Sequence, residues 1–256
     1  MIPLVSVIMP AYRCAGTIGA AIDSALAQEV PLEVIVINDR SPDDLEGVLA
    51  AYRQDERVVC VTNEENMGAA QSRNRGVSLA RGKYVAFLDS DDLWTPGKLK
   101  VQVAALEESG CVLCCTAREL MTPEGEPTGR MLPVAETIAY RDLLRHNSIA
   151  CSSVVLRADV AREFPMEHED SHEDYILWLR ILKKYGAARG INLPMLRYRL
   201  SNTGKSGSKL HSAKMTFKVY RYMGFSLPQS LLCFCSYAFH GVKKYYFSRK
   251  GGQHEA

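Results

Sequence analysis

The chain has 256 residues, 47% hydrophobic and 23% charged, which excludes a disordered or fibrous protein. Without an apolar run of about 18 residues, a transmembrane helix is not expected. The net charge of +2 hides a split: residues 1–174 hold 28 acidic and 16 basic residues, and residues 175–256 hold one acidic and 15 basic. Different partners are therefore expected at the two ends, a cation for the first and phosphate, anionic lipid or nucleic acid for the second.

The first half alternates strand and helix patterns. LVSVIMP (4–10) is an apolar, β-branched run closed by Pro10. Over 17–28, Ile18, Ala21, Ile22, Ala25 and Leu26 recur on one helical face. LEVIVIND (32–39) is a second strand, and Ser41-Pro-Asp-Asp opens a helix predicted over 41–54. RVVCVT (57–62) is a third strand, a helix over 67–82 ends at Gly82, and KYVAFLD (83–89) is a fourth strand. Thr95 is placed as the N-cap and Pro96 at the first position of a helix over 95–109, before a fifth strand, CVLCCTA (111–117). This alternation predicts an α/β domain with a mostly parallel sheet. Beyond 117 the pattern loosens. Residues 121–133 read as a loop or hairpin, 139–147 as a short helix, and 152–160 as a strand entering a helix. Residues 172–186 form a strongly amphipathic helix, and 196–209 a strand passing into a Gly/Ser/Lys loop. The predicted division is an α/β domain over 1–210 and a helical extension over 211–256.

Of eight cysteines, Cys111, Cys114, Cys115, Cys233 and Cys235 sit in apolar runs and are expected to be buried free thiols, since no Cys/His spacing suits zinc. The first residues lack a positive leader and contain Pro3 and Pro10, so a signal peptide is not expected and a reducing compartment is.

Ligands of such sheets bind at the carboxyl ends of strands. There, FLDSDDLW (87–94) crowds Asp89, Asp91 and Asp92 together, and like charges so close repel. A helix start accounts for Asp92. Asp89 and Asp91, one residue apart after an apolar strand, suit a hard divalent cation that also takes phosphate oxygens. In VINDRS, Asp39 and Ser41 serve a turn or cap, or Asp39 accepts hydrogen bonds from a nucleobase or ribose. In NMGAAQSRNRG, Gly68 lets a ligand approach the backbone and Arg73 suits phosphate or a base, although a surface helix explains both. Glu173 and Asp174 complement a helix dipole or supply a general base.

In order, VSVIMPAYR, VINDRSPDD, NMGAAQSRNRGVSLARGKYVAFLDSDD, HEDYILWLR and YRLSNTGKSGS resemble the motifs of the family-2 inverting glycosyltransferases of GT-A fold, of the O-antigen and capsule type. The resemblance covers about residues 4–207. It implies a Rossmann-like, mixed but mostly parallel sheet flanked by helices. It implies a nucleotide-diphosphate sugar, with uridine the expected nucleotide, and Mn²⁺ or Mg²⁺. Asp174 would be the general base, and Asp89 and Asp91 the metal-binding Asp-x-Asp motif, Asp91 ligating directly. Pro10, Tyr12, Asp39, Gly68, Arg73, Asp89, Ser90, Asp91, Arg199 and Ser206 would line the nucleotide sugar. Two positions depart from the family pattern: Arg13 stands where Asn is usual, and Asn38 where Asp is common.

Residues 214–250 mix aromatic, aliphatic and cationic side chains, as helices of the membrane interface do. A helical pair packed on the first domain is the other reading, and nucleic acid is disfavoured because no binding module is present. The expected acceptor is a lipid-diphosphate-linked saccharide, and the expected location is the cytoplasm, peripheral on the inner face of the membrane. A non-catalytic nucleotide-sugar- or glycan-binding protein on the same fold is the alternative. Glu173 and Asp174 beside an intact Asp-x-Asp motif favour the enzyme.

Overall fold

The β-branched runs of the first half become β1 (Val5–Ala11), β2 (Leu32–Asn38), β3 (Val58–Thr62) and β4 (Tyr84–Phe87) of a computed structural model that describes residues 2–200 and 209–248. The strands are parallel, in the order β3-β2-β1-β4, and are linked by α1 (Ile18–Leu26), α2 (Leu45–Leu49) and α3 (Ala69–Leu79). All seven residues of β2 are buried, as a parallel strand covered on both faces requires. The register sets Ala11 beside Asn38 and Ile8 beside Phe87. Tyr12, Asp39 and Asp89 therefore leave the sheet at one edge.

The second half contributes β5 (Leu93–Trp94), α4 (Lys98–Ser109), β6 (Leu113–Met121), β7 (Pro127–Leu132), β8 (Thr137–Ile138), α5 (Tyr140–Arg145), β9 (Val155–Arg157), α6 (Ala158–Glu163), α7 (Glu173–Tyr185) and β10 (Ala188–Arg199). Here the sheet becomes mixed, as the resemblance implied. β10 runs parallel to β6, but β9 lies antiparallel between β4 and β6, and β5, β7 and β8 also pair antiparallel. For β7 the cause is connection length: the tight turn around Gly125 (φ 98°) is too short for a crossover and closes a hairpin of β6 and β7.

Two helix starts differ from expectation. The helix predicted over 41–54 is only α2 followed by a 3-10 turn, Ala50–Tyr52. Ser41 and Asp43 do not cap it. Ser41 Oγ accepts the N–H of Arg13 at 2.7 Å and Asp43 Oδ2 that of Ala15 at 2.8 Å, so both brace the loop after β1. Likewise α4 starts at Lys98 behind a left-handed Gly97 (φ 78°), while the Thr95 N–H extends the sheet by donating to Met195 O at 3.2 Å. Lys98 is fully buried with its Nζ 4.1 Å from the centre of the Trp94 ring, and burial pushes its ammonium down to about 7.

Alternating side chains of β1 feed two apolar layers, Val7 and Met9 on one face and Ile8 on the other. Helix α3 sits close against Ile8 because position 76 is glycine: a Cβ there would lie 2.4 Å from Ile8 Cγ2. Gly76→Ala is expected to cost about 1–3 kcal/mol by overpacking, read as a lower urea midpoint at unchanged slope.

Two further helices, α8 (Lys209–Tyr222) and α9 (Leu227–Ser248), turn back at Gly224 (φ 84°). Met215, Val219 and Tyr220 are at most 1% exposed, and Tyr220 Oη donates to Leu144 O at 2.9 Å. Helix α8 spans the boundary expected at 210/211 and packs on the first domain through Met215, Val219 and Tyr220. Among the described residues no helix is long and apolar enough to cross a membrane. Of the thiols expected to be buried, Cys114 and Cys115 are, Cys111 and Cys233 are half-buried and Cys235 is exposed.

Candidate active site

The three crowded aspartates are separated by role. Asp89 Oδ1 accepts from Arg73 Nη2 at 2.6 Å, and its N–H donates to Ser152 Oγ at 3.1 Å. Asp92 is 1% exposed, and its Oδ1 accepts the N–H of Arg199 at 2.9 Å. Burial, then the charges of Asp89 and Asp91, push its carboxyl far above the ordinary range. Asp92 therefore does not serve the start of α4, as the sequence suggested, but pins the end of β10 to the loop. Half-buried Asp91 remains, its carboxyl pushed up by burial first and by Asp89 second.

Arg73 joins this loop to the acidic motif of α7. Its Nη1 donates to Glu173 Oε1 at 3.0 Å while Nη2 holds Asp89. At 6% exposed, with both terminal nitrogens on carboxylates, it forms an internal clamp. This also divides Glu173 from Asp174. Glu173 is ion-paired and buried, whereas Asp174 is half-buried and its Oδ1 accepts the N–H of Tyr175 at 2.7 Å. Burial first, and the charge of Glu173 second, push the Asp174 carboxyl up to about 7. A carboxylate so poised is suited to take a proton near neutral pH.

The segment before Asp174 is held from two sides. Towards α3, Asn74 exchanges two 2.8 Å hydrogen bonds with the backbone of Met166, and Glu169 Oε2 accepts the N–H of Ala70 at 2.8 Å. Towards α8, Asp170 takes Lys218 Nζ at 2.5 Å, and the His168 ring stacks on Tyr222 at 3.7 Å. Gly68 (φ 86°) serves this brace: a Cβ would lie 2.8 Å from Glu169 Cδ, so a side chain of the protein approaches the backbone closely there.

Asp39 is 3% exposed, and its Oδ1 accepts from Asn63 Nδ2 at 2.7 Å and the N–H of Met67 at 2.8 Å. Its Oδ2 accepts the N–H of Gly68 at 2.8 Å. Asp39 thus orders the loop before α3 and keeps one acceptor position on Oδ2. Tyr12 is 42% exposed at the same edge, and Pro10 and Ser90 are half-buried. Arg199 is anchored by backbone carbonyls. Its Nε and Nη1 donate at 2.7 Å to the carbonyls of Asp91 and Pro123, so it supports the Asp-x-Asp loop from behind. Ser206 lies outside the described residues.

Sequence reasoning missed Asn63, Ser152 and Glu169, all of which fix the loops around the site. Glu169 lay in plain view within HEDSHED, but nothing local told it from its acidic neighbours. Asn63 and Ser152 act only through partners distant in the chain.

The donor set of the Asp-x-Asp loop fits a hard divalent ion. Among the described residues no group of three or more His, Cys, Asp or Glu gathers to hold a metal alone. Asp91 and the second oxygen of Asp89 offer what an ion needs when it completes its shell with phosphate and water. Asp91, raised by burial first and by the charge of Asp89 second, would gain from such an ion.

Residues 6–163 match Glycosyl transferase family 2. The chain belongs to this family. The glycosyltransferase is 37% identical to TuaG of Bacillus subtilis (strain 168), a protein named for teichuronic acid biosynthesis, over 94% of this chain and 97% of that one. It is 34% identical to WfaP of Escherichia coli over 96% of each chain. WfaP is named a UDP-Glc:alpha-D-GlcNAc-diphosphoundecaprenol beta-1,3-glucosyltransferase. The fold superposes on Staphylococcus aureus TarS 1–349 in complex with UDP-GlcNAc at TM-score 0.71 and 18% identity, covering 97% of this chain and 74% of that one. The expected GT-A architecture is therefore the observed one.

Proposed function

We propose that this glycosyltransferase is inverting and divalent-cation-dependent. In this reading it moves a sugar from a uridine-diphosphate donor to a hydroxyl of a lipid-diphosphate-linked saccharide at the inner face of the cytoplasmic membrane. The observation that carries the reading is the Arg73 clamp. One guanidinium holds Asp89, beside which the donor would sit, and Glu173, the neighbour of the base proposed, Asp174. The names of WfaP and of the TarS complex support the choice of donor and acceptor.

A sugar hydroxyl is a weak nucleophile at neutral pH. As its oxygen attacks the anomeric carbon, Asp174 takes the proton, and the bond from that carbon to the diphosphate oxygen breaks on the opposite face. The configuration inverts, and the nucleoside diphosphate leaves with the bonding pair. A divalent cation held by Asp91 and the second oxygen of Asp89 would neutralise charge on the leaving diphosphate. Asp39, Tyr12, Pro10 and Ser90 line the strand ends where the nucleotide would sit.

A screen of nucleotide sugars with Mn²⁺ or Mg²⁺ against a lipid-diphosphate saccharide tests the reading. Turnover of a UDP-sugar is expected. If no donor is consumed by the wild-type protein, the non-catalytic binding reading takes its place. The cation has its own readout. Mn²⁺ together with UDP at about 100-fold over the dissociation constant should raise Tm by roughly 5 °C, and Asp91→Ala should remove most of that gain. An equal shift in both proteins counts against Asp91 as a ligand.

A further inference from the structure

Helix α9 has two unlike faces. The inner one is sealed: Ser230 is 0% exposed, Phe234 packs edge-on against Phe217 at 6.1 Å, and the Tyr237 ring lies 5.5 Å from His146 and 6.2 Å from Tyr175. At about 100° per residue the opposite arc carries Leu227, Leu231, Leu232, Cys235, Ala238 and Phe239. All are exposed: the three leucines at 59%, 53% and 72%, and Phe239 at 67%. Nothing polar interrupts the arc. Single exposed leucines are ordinary on a soluble surface, but an aligned apolar strip marks a contact.

The charge of this end of the chain selects the occupant of the strip. No acidic residue lies between Asp174 and Glu255, and this end of the chain carries a net +14, from 15 basic residues and one acidic. Lys214 and Arg221 are exposed on α8, and Lys243, Lys244, Arg249 and Lys250 follow the strip in sequence. A second copy of the chain would bring the same positive field against itself, whereas an anionic lipid surface complements it. The inner face ties α9 to α5, α7 and α8, so the strip is presented on a rigid body.

We propose that the outer arc of α9 is a bilayer-docking face that lies flat at the headgroup–acyl boundary of an anionic membrane. The inference rests on the function proposed above and deepens it, because a lipid-linked acceptor presents its saccharide at that surface. The apolar strip supplies the insertion, and the basic residues supply the preference for anionic lipid.

The test sediments the full chain with phosphatidylcholine vesicles, with and without phosphatidylglycerol. Wild type is expected to bind the anionic vesicles. Leu231→Asn combined with Leu232→Asn should weaken that binding about tenfold or more. Its circular dichroism and its transfer to a water-soluble saccharide should stay as in wild type. Phe239→Ser, at the other end of the arc, should weaken binding in the same direction and serves if the double variant misfolds. Wild-type binding by the variants overturns the proposal. So does a wild-type dimer, dissolved by the same substitutions, that ignores vesicles. Vesicle binding lost in the variants supports the docking face even where no donor is consumed, so the two readings fail separately.

Discussion

Asp174→Asn is expected to lower transfer by about 10²–10⁴-fold with donor affinity unchanged, because a positioned base accelerates a proton transfer by that much. The amide keeps the shape but takes no proton. The wild-type pH profile sharpens the claim. The Asp174 carboxyl is raised to about 7, so kcat/KM should climb with pH through about 7 and level off above it. Stability should run the other way. The folded carboxyl holds its proton up to about 7, while the ordinary value is 3.8, so the folded state binds more protons in that window. Stability therefore falls as pH rises between the two values and stays lowered above them. Asp174→Asn escapes this loss, and at about pH 8 it should melt higher than wild type, the gap closing near pH 4. Steady-state rates with donor titration, and melting curves across pH, check both halves. A variant as active as wild type would remove Asp174 from the base position.

Arg73→Gln is expected to cost about 3–5 kcal/mol, because it leaves a buried carboxylate without its counter-charge. The Glu173 side chain is 8% exposed and that of Asp89 30%, so Glu173 bears most of the cost. In a chain of this size the loss lowers Tm by roughly 10 °C. Arg73→Lys should recover only part, since one ammonium does not span two carboxylates as a planar fork does. Adding Glu173→Gln to Arg73→Gln should restore much of the stability, because no deeply buried charge is then left alone. Activity should stay low in that double variant, because the Asp-x-Asp loop and Asp174 lose their common support. The opposite pattern, an unchanged Tm with only a raised donor KM, would return Arg73 to the nucleotide-binding role that its motif suggested.

The repulsion visible in FLDSDDLW thus has three separate answers. An arginine sixteen positions earlier takes Asp89, a backbone amide of β10 takes Asp92, and Asp91 keeps the place proposed for a cation. For Asp92 the nearest helix start was the obvious partner in sequence, but that helix begins six residues on, at Lys98, and the carboxylate turns the other way.

What the sequence determined by itself was everything with a period or an order. The strands and crossover helices of the first half, the edge at which Asp39 and Asp89 emerge, and the family of the chain all follow from local apolar patterns and ordered motifs. Only the tertiary structure decided which group partners each carboxylate. The Arg73 guanidinium meets Glu173 across one hundred residues, the backbone N–H of Arg199 meets Asp92 across more, and Glu169 accepts a backbone N–H at the start of α3. The same holds for the two antiparallel neighbours of β9 and for the seal of α8 and α9 on the α/β layers. The reason is physical. Backbone periodicity is a short-range property written in neighbouring side chains. The partner of a buried charge is chosen by desolvation, which depends on what the whole fold brings within about 3 Å.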